Sequence, residues 1–306
     1  MVFVGDLCDR GPDSPAVIFK VRDLVESGRA QCVLGNHELN ILRSEKKEGS
    51  HWFAAKEEIT YQAEVAKFGP SARLKPHHEA EILEFFASLP VALERPDLRV
   101  VHAAWDTASI AAIRGTSGSV LDIYREFDHK IDASPQGQIL KPLAHQQKKQ
   151  YEHLLKDHNL SAFTPFLTDH AEWDEFYQCA NPIRVLTSGL EKVTKTPFFT
   201  GGQWRFVERV NWWASYTDAP AVVFGHYWRV WNAAARANVS KAGPQLFDDQ
   251  NPEGWHKNDL GREVAFCVDY SVGARHRERK NGVSLPFHGR LAALRWPEGT
   301  PLFDHP

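Results

Sequence analysis

The chain begins with two short apolar runs, at residues 2–4 and 30–34, which an amphipathic segment separates. Runs of this length are typical of buried strands. Along the segment between them, apolar residues recur at the spacing of one helix face: Val17, Ile18, Val21, Leu24 and Val25. We expect this helix to have Ser14 as its N-cap and Pro15 at its first position, and to end at Gly28. The pattern therefore predicts a strand–helix–strand unit whose two strands are parallel neighbours.

Further elements follow downstream. Helical spacing fits three segments: residues 57–67, 79–89 and 143–157. Two more apolar runs of strand length end in a histidine, one at residues 100–102 and the other at residues 221–226. The chain is thus predicted to be an α/β protein.

Polar side chains follow both strands of the first unit. Residues 5–12 read Gly-Asp-Leu-Cys-Asp-Arg-Gly-Pro, and residues 35–38 read Gly-Asn-His-Glu. The C-terminal ends of neighbouring parallel strands meet at one edge of a sheet, where open α/β sheets bind their ligands. Gly5 and Gly35 allow the backbone to turn sharply and to approach a ligand closely. We therefore expect the side chains of these two motifs to share one site.

The residue types of this site suit a transition metal. Carboxylate oxygen, amide oxygen and two imidazole nitrogens are ligands for Mn, Fe or Zn, and no thiolate is needed. Asp6 can bridge two ions through its two oxygens. Asn36, His102 and His226 can complete the shell of one of them.

Each residue also has an ordinary structural interpretation. Asp9 and Arg10 fit a surface turn, His102 fits a buried core histidine, and His226 fits a strand terminus. Short motifs match by chance, but four strand ends would then carry ligand types in this order by accident. Glu38 is the exception, because we expect it to brace the loop through Arg10 or the helix start.

The order Asp, Asn, His, Gly-His resembles the metal ligands of the calcineurin-like metallophosphoesterase superfamily, in its phosphoprotein phosphatase and diadenosine tetraphosphatase-like branch. The resemblance covers residues 1–106 and 219–296. Residues 267–271 and 290–296 look like the closing strands of that family. The resemblance implies an α/β sandwich of two mixed β-sheets flanked by helices, with the metal site at the strand ends.

The resemblance also implies a reaction, in which metal-bound hydroxide hydrolyses a phosphate monoester or phosphoanhydride. Four residues would be the metal ligands: Asp6, Asn36, His102 and His226. His37 would protonate the leaving oxygen, Asp9 would hold the His37 imidazole in the right tautomer, and Arg10 would grip the phosphate oxygens. Manganese is the expected ion, with iron and zinc as alternatives.

An earlier signature of the family, Gly-Asp-x-His-Gly, has no counterpart among the four residues before Gly5. Two ions are bound in the family, but here Asp6 alone would serve the second, and Trp228 stands where some relatives have a further histidine. We expect the first strand to be missing, and two explanations are open. The favoured one is a true start upstream of Met1. The other is a truncated or degenerate, non-catalytic phosphate- or nucleotide-binding module.

We expect residues 1–306 to form a single metallophosphoesterase domain with a cap insertion at about residues 107–200. The cap would shape the substrate pocket, although a peripheral insertion is the alternative. Three tryptophans could stack on a nucleobase or pack in a core: Trp204, Trp212 and Trp213. The branch usually has a second phosphate-binding arginine, for which there are three candidates: Arg205, Arg209 and Arg229.

Composition sets a few further limits. A net charge of −3 gives no reason to expect nucleic acid or an anionic membrane as a partner. The four cysteines form no CxxC pair, and the apolar runs are too short for a membrane span or signal peptide, so a cytoplasmic location is expected. The substrate is expected to be a phosphorylated small molecule or a phosphoprotein, and the aromatic-rich second half favours a dinucleoside polyphosphate. The sequence does not indicate the oligomeric state.

Overall fold

The computed structural model describes residues 1–45, 47–54, 57–230, 245–247, 255–284 and 286–304. The described chain separates into two compact units. Unit 1 comprises the described residues of Met1–Ala103, Trp213–Val239 and Phe247–Pro306, and unit 2 those of Ala104–Trp212 and Ser240–Leu246. The segment that was expected to be a cap lies within unit 2.

Unit 1 contains both strands and helices, whereas unit 2 is mostly helical. The strands are β1 (Val2–Phe3), β2 (Gln31–Cys32), β3 (Ala92–Arg95), β4 (Leu98–Val101), β5 (Glu191–Thr200), β6 (Gln203–Arg209), β7 (Ala221–Phe224), β8 (His256–Lys257), β9 (Glu263–Cys267), β10 (Asp269–Tyr270), β11 (Arg290–Arg295) and β12 (Thr300–Phe303). The helices are α1 (Ser14–Glu26), α2 (Asn36–Leu42), α3 (His51–Ala54), α4 (Glu58–Phe68), α5 (Glu79–Ser88), α6 (Thr107–Arg114), α7 (Val120–Ala133), α8 (Pro135–Leu155), α9 (Thr168–Cys179), α10 (Pro182–Ser188) and α11 (Arg275–Lys280). Short 3₁₀ turns occur at Pro76–His78, Trp212–Ser215 and Val272–Ala274.

The strand–helix–strand unit at the start of the chain forms as predicted, with β1 and β2 paired in parallel. Its cap was predicted wrongly. Asp13, not Ser14, is the N-cap of α1, because the Asp13 carboxylate accepts the backbone N–H of Ala16 at 2.9 Å. The Ser14 hydroxyl is engaged elsewhere, since it accepts the backbone N–H of Asp9 at 3.1 Å.

A five-stranded mixed sheet forms the centre of unit 1, in the order β3-β4-β7-β9-β8. Strands β4, β7 and β9 are parallel, and the two edge strands β3 and β8 run antiparallel to their neighbours. All four residues of β7 are buried. A parallel strand that is buried on both faces needs a continuous apolar sequence, and this accounts for the apolar run at this position. Both β4 and β7 end immediately before the histidine segments noted in the sequence.

A second sheet, β10-β11-β12, packs against the first through a shared apolar core. Phe266 from β9 lies at its centre, with its ring 5.9 Å from that of Trp296 and 5.2 Å from that of Trp255. This arrangement confirms the predicted α/β class with packed sheets and helices. One detail differs, because the second sheet is antiparallel throughout rather than mixed.

Periodicity located two helices well and one poorly. Helices α4 and α5 lie within one residue of the predicted segments. Helix α8 starts eight residues before the predicted residue 143, because the Ser134 hydroxyl caps it by accepting the N–H of Gly137 at 3.0 Å. Pro142 is accommodated inside this helix.

The three tryptophans that could have stacked on a nucleobase are buried, between 6% and 7% exposed. In unit 2, Trp204 belongs to the apolar core and its indole N–H donates to the Asp157 carbonyl at 2.9 Å. In unit 1, Trp213 stacks on Phe247 with ring centroids 4.7 Å apart. The structure therefore favours the core-packing interpretation. Among the described residues, no helix is long and apolar enough to span a membrane.

The apolar core between the two sheets should contribute strongly to stability through Phe266. Replacing Phe266, which is 2% exposed, with alanine should lower the free energy of unfolding by about 3–5 kcal/mol, because it removes the ring and leaves a cavity. Chemical denaturation measures the change. Leu260, which is 90% exposed, is the control, and Leu260→Ala should change stability by less than about 0.5 kcal/mol. A loss below about 1 kcal/mol for Phe266→Ala would contradict the packed-sheet description.

Candidate metal centre

The two motif loops of unit 1 touch because glycines occupy the contact. A β-carbon on Gly35 would lie 2.4 Å from the backbone nitrogen of Asp6, and one on Gly5 would lie 2.6 Å from the nitrogen of Gly35. Neither position has room for a side chain. Gly5 also has a φ of +84°, in the left-handed region that favours glycine. Close approach of the loops is thus built into both motifs.

The Glu38 carboxylate joins the same two loops. It is fully buried and accepts three backbone N–H groups, from Gly35 at 3.0 Å, Asp6 at 2.9 Å and Leu7 at 2.7 Å. Burial, together with the charge of Asp6, raises the pKa of Glu38. Glu38 therefore braces the helix start and the Asp6 loop, and it does so through backbone groups rather than through Arg10.

The structure brings together the four residues predicted as metal ligands. The Asn36 side-chain oxygen lies 2.9 Å from His226 Nδ1 and 3.2 Å from His102 Nε2. Asp6 Oδ1 lies 3.3 Å from the same His102 nitrogen. Ligand atoms of Asp6, His102 and His226 are all within 4.8 Å of one another.

His102 is oriented for this role by the backbone. Its Nδ1 donates to the Val4 carbonyl at 2.5 Å, which leaves Nε2 to face Asp6 and Asn36. Metal-bound histidines in proteins are commonly fixed by such a hydrogen bond from the other ring nitrogen. Burial alone would lower the pKa of His102, but the charge and hydrogen bond of Asp6 raise it to about 9. In the same way the pKa of Asp6 is held well below its usual range, because His102 and His37 outweigh the effect of burial.

The donor set fits a divalent transition metal. Asp6, Asn36, His102 and His226 supply two oxygens and two nitrogens at converging positions, and imidazole with carboxylate suits Mn, Fe or Zn. A bound ion would also neutralise the negative charge of the Asp6 carboxylate. These four residues are therefore the ones that would hold the metal.

Beside these residues lies a second group, formed by His37 and Asp9. His37 Nδ1 makes a short hydrogen bond to Asp9 Oδ2. His37 Nε2 lies 3.8 Å from Asp6 Oδ2. Burial lowers the pKa of His37, but Asp6 and Asp9 outweigh it and the pKa is raised.

Arg10 completes this group. Its Nη2 lies 2.8 Å from His37 Nε2, and since a guanidinium can only donate, Nε2 accepts and the ring proton lies on Nδ1. The Arg10 guanidinium carbon is 4.9 Å from the centroid of the Trp228 ring, a cation–π distance. Trp228, which the sequence offered only as a missing ligand, thus serves as a surface for Arg10.

Backbone strain is concentrated at this site. Five non-glycine residues in and around it have φ in the left-handed region: Asp6 (56°), Asp9 (74°), Arg10 (59°), His226 (65°) and Trp228 (55°). Such residues cost free energy and persist where the surrounding structure holds them, most often at functional sites.

The three candidates for a second phosphate-binding arginine lie in different units of the chain. Arg229, in unit 1, is 3% exposed, and its guanidinium lies 5.0–5.2 Å from the rings of Phe247, Trp255 and Tyr270. It is therefore enclosed by aromatic side chains. Arg205 and Arg209 lie on β6 in unit 2.

Comparison with known proteins gives two short sequence matches. A symmetrical bis(5'-nucleosyl)-tetraphosphatase of Ralstonia nicotianae (strain ATCC BAA-1114 / GMI1000) is 55% identical over 40 residues, 13% of this chain and 14% of that protein. One with the same description from Janthinobacterium sp. (strain Marseille) is 55% identical over 42 residues, 14% of this chain and 15% of that protein. The chain thus spans about one seventh of the length of the curated relatives it matches. A solved structure of a provisionally assigned diadenosine tetraphosphatase aligns with 99% of this chain and 78% of its own, at 14% identity and a TM-score of 0.38.

Removal of one proposed ligand should weaken metal binding strongly. We expect His226→Ala to lower the affinity for Mn²⁺ at least about 100-fold, because even residues that only support a ligand contribute 10–100-fold. Isothermal titration calorimetry measures the affinity. His77→Ala, at an exposed histidine, is the matched control and should leave it unchanged. An unchanged affinity in His226→Ala would place the ion elsewhere.

Metal binding should also depend on pH. Because the pKa of His102 is about 9 in the metal-free protein, its Nε2 proton must leave when an ion binds. Apparent Mn²⁺ affinity should therefore rise with pH, by about tenfold per unit between pH 6 and 8, with about one proton released per ion. Calorimetry in two buffers of different ionisation enthalpy counts the protons. An affinity that is independent of pH over this range would contradict a protonated His102.

The broadest comparison is with a family profile rather than with single proteins. The profile of the calcineurin-like phosphoesterases matches residues 1–228, which include the four candidate metal ligands Asp6, Asn36, His102 and His226. The chain therefore belongs to the calcineurin-like phosphoesterase family.

Proposed function

We propose that this protein is a divalent-metal-dependent phosphoesterase that hydrolyses a phosphoanhydride of the dinucleoside polyphosphate class. The observation that carries the proposal is the position of the His37 imidazole. It is oriented by Asp9, touches Arg10, and lies 3.8 Å from Asp6, which belongs to the proposed metal ligands. The proposed phosphate-binding group, the proposed acid and one of the proposed metal ligands thus lie next to one another.

Arg10 would bind the phosphate. Its planar guanidinium can donate two parallel hydrogen bonds to phosphate oxygens. In the substrate-free geometry one of these donors is directed at His37 Nε2 instead. Binding of a phosphate would therefore draw Arg10 away from His37 and leave Nε2 available.

His37 would then act as the acid for the leaving oxygen. Asp9 holds the Nδ1 side of the ring, so the second proton is carried on Nε2, the nitrogen that faces the site. Burial acts to lower the pKa of His37, whereas the hydrogen bond and charge of Asp9 act to raise it and so favour uptake of that proton. A positioned acid of this kind contributes about 10²–10⁴-fold to a rate.

The metal would supply the remaining chemistry. When bound by Asp6, Asn36, His102 and His226, a divalent ion acts as a Lewis acid toward phosphate and lowers the pKa of a bound water. The neighbouring thiol of Cys8 is a poor alternative nucleophile. Burial and the charges of Asp9 and Glu38 raise its pKa well above the usual value, so it stays protonated at neutral pH.

The substrate class rests on the names of the two relatives, which are both symmetrical bis(5'-nucleosyl)-tetraphosphatases. The matched stretch is only 14–15% of their length. It therefore supports no more than a substrate class, namely a phosphorylated small molecule that contains a phosphoanhydride. A phosphoprotein is the competing substrate, and direct comparison of the two decides between them.

Turnover of diadenosine tetraphosphate and of a phosphoserine peptide, each with excess Mn²⁺, tests this proposal. We expect the first to be hydrolysed faster. His37→Asn should lower its turnover by about 100-fold or more without changing thermal stability, and His77→Asn, at an exposed position, should leave it unchanged. Faster turnover of the peptide would overturn the substrate class. Substrate binding without turnover in the unaltered protein would support a binding module instead of an enzyme.

A further inference from the structure

One buried indole closes the side of Asp9 that His37 does not use. Trp52, in α3, is 1% exposed, and its Nε1 donates to Asp9 Oδ1 at 2.6 Å. The other oxygen of the same carboxylate accepts from His37 Nδ1. Trp52, Asp9 and His37 therefore form a continuous hydrogen-bonded chain that leads to the proposed acid.

This contact matters because the backbone does not fix Asp9 by itself. Asp9 has a φ of 74°, a conformation that residues other than glycine rarely adopt. It is 8% exposed, so its carboxylate has little access to water and needs protein donors. The indole supplies a donor on the side away from His37 and leaves the carboxylate one orientation that satisfies both oxygens.

The segment that carries Trp52 also holds the next residue of the motif. The Gly49 carbonyl accepts the backbone N–H of Arg10 at 3.3 Å. Trp52 is itself anchored, since its carbonyl accepts the N–H of Leu74 at 2.8 Å. Residues 49–52 thus fix the backbone of Arg10 and the side chain of Asp9 together.

We infer that Trp52 is a positioning residue for the leaving-group acid. Its indole N–H holds Asp9 in the rotamer that orients the His37 ring, with Nε2 directed to the site. The inference rests on the proposed function, in which His37 protonates the leaving oxygen. Trp52 would act through its hydrogen bond to Asp9, and not by binding the phosphate or the metal itself.

Trp52→Phe removes the indole N–H while keeping an aromatic ring in the same place. A leaving group that is a weak base needs little help from an acid, whereas a strongly basic one needs it fully. With Mn²⁺ present, kcat for phenyl phosphate should fall by about tenfold in this variant. The loss is smaller than the full contribution of an acid, because His37 is still present but is less well oriented. The kcat for p-nitrophenyl phosphate should fall by less than about twofold.

Trp296→Phe is the matched control. Trp296 also donates its indole N–H to a carboxylate, that of Asp97, at 2.9 Å. This variant should change neither rate. If Trp52→Phe lowered both rates equally, Trp52 would be a structural residue only, and if it lowered neither, the contact would have no role in the reaction. Either result overturns the inference.

A second measurement does not depend on turnover. In the metal-free protein, the Nδ1 proton of His37 should give a slowly exchanging imidazole signal in ¹⁵N-edited NMR, which His37→Gln assigns by its loss. Trp52→Phe should shift or broaden that signal, and Trp296→Phe should not. An unchanged signal in Trp52→Phe overturns the positioning role. Failure of the unaltered protein to hydrolyse diadenosine tetraphosphate with Mn²⁺ would instead contradict the proposed function, while a shifted signal would still support the Trp52–Asp9–His37 contact.

Discussion

The site depends on one buried carboxylate. Glu38 accepts backbone N–H groups from Gly35, Asp6 and Leu7, and so joins two loops that lie thirty residues apart in the sequence. A buried carboxylate is costly unless donors surround it, and three directed N–H groups offset that cost. The same bonds hold Asp6 beside the start of α2, where the Asn36 side chain is presented.

The rest of the centre follows from this junction. Once the two loops are fixed, the parallel strands β4 and β7 bring His102 and His226 to the same edge of unit 1. Residues such as Asp9 and Arg10 can then stay in left-handed backbone conformations, because contacts on both sides hold them. The strain is local and the support is distributed over several loops, which is the usual arrangement at functional sites.

Most parts of the fold that leave a local pattern in the sequence were predicted correctly. Apolar runs and helical spacing located β7, α4 and α5, and the strand–helix–strand unit predicted that two motifs would meet. Long-range contacts were missed. Trp52 lies 43 residues from Asp9, and its indole N–H bond leaves no mark on either local pattern. The same holds for Trp228, which was noted only as a departure from a histidine position and proved to lie over Arg10.

The predictions of the N-cap of α1 and of the strand directions in the second sheet were wrong for a different reason. Asp13 and Ser14 are both good N-cap residues, so their order alone could not decide which one caps α1. The antiparallel second sheet depends on pairing between β10, β11 and β12, which short apolar runs do not specify.

The central claim is that Asp6, Asn36, His102 and His226 together hold one divalent ion. Anomalous diffraction from crystals grown with Mn²⁺, recorded on both sides of the manganese absorption edge, tests it most directly. We expect an anomalous peak about 2.0–2.4 Å from ligand atoms of all four residues. A well-ordered manganese peak at another place, or none near these residues at saturating Mn²⁺, would contradict the account.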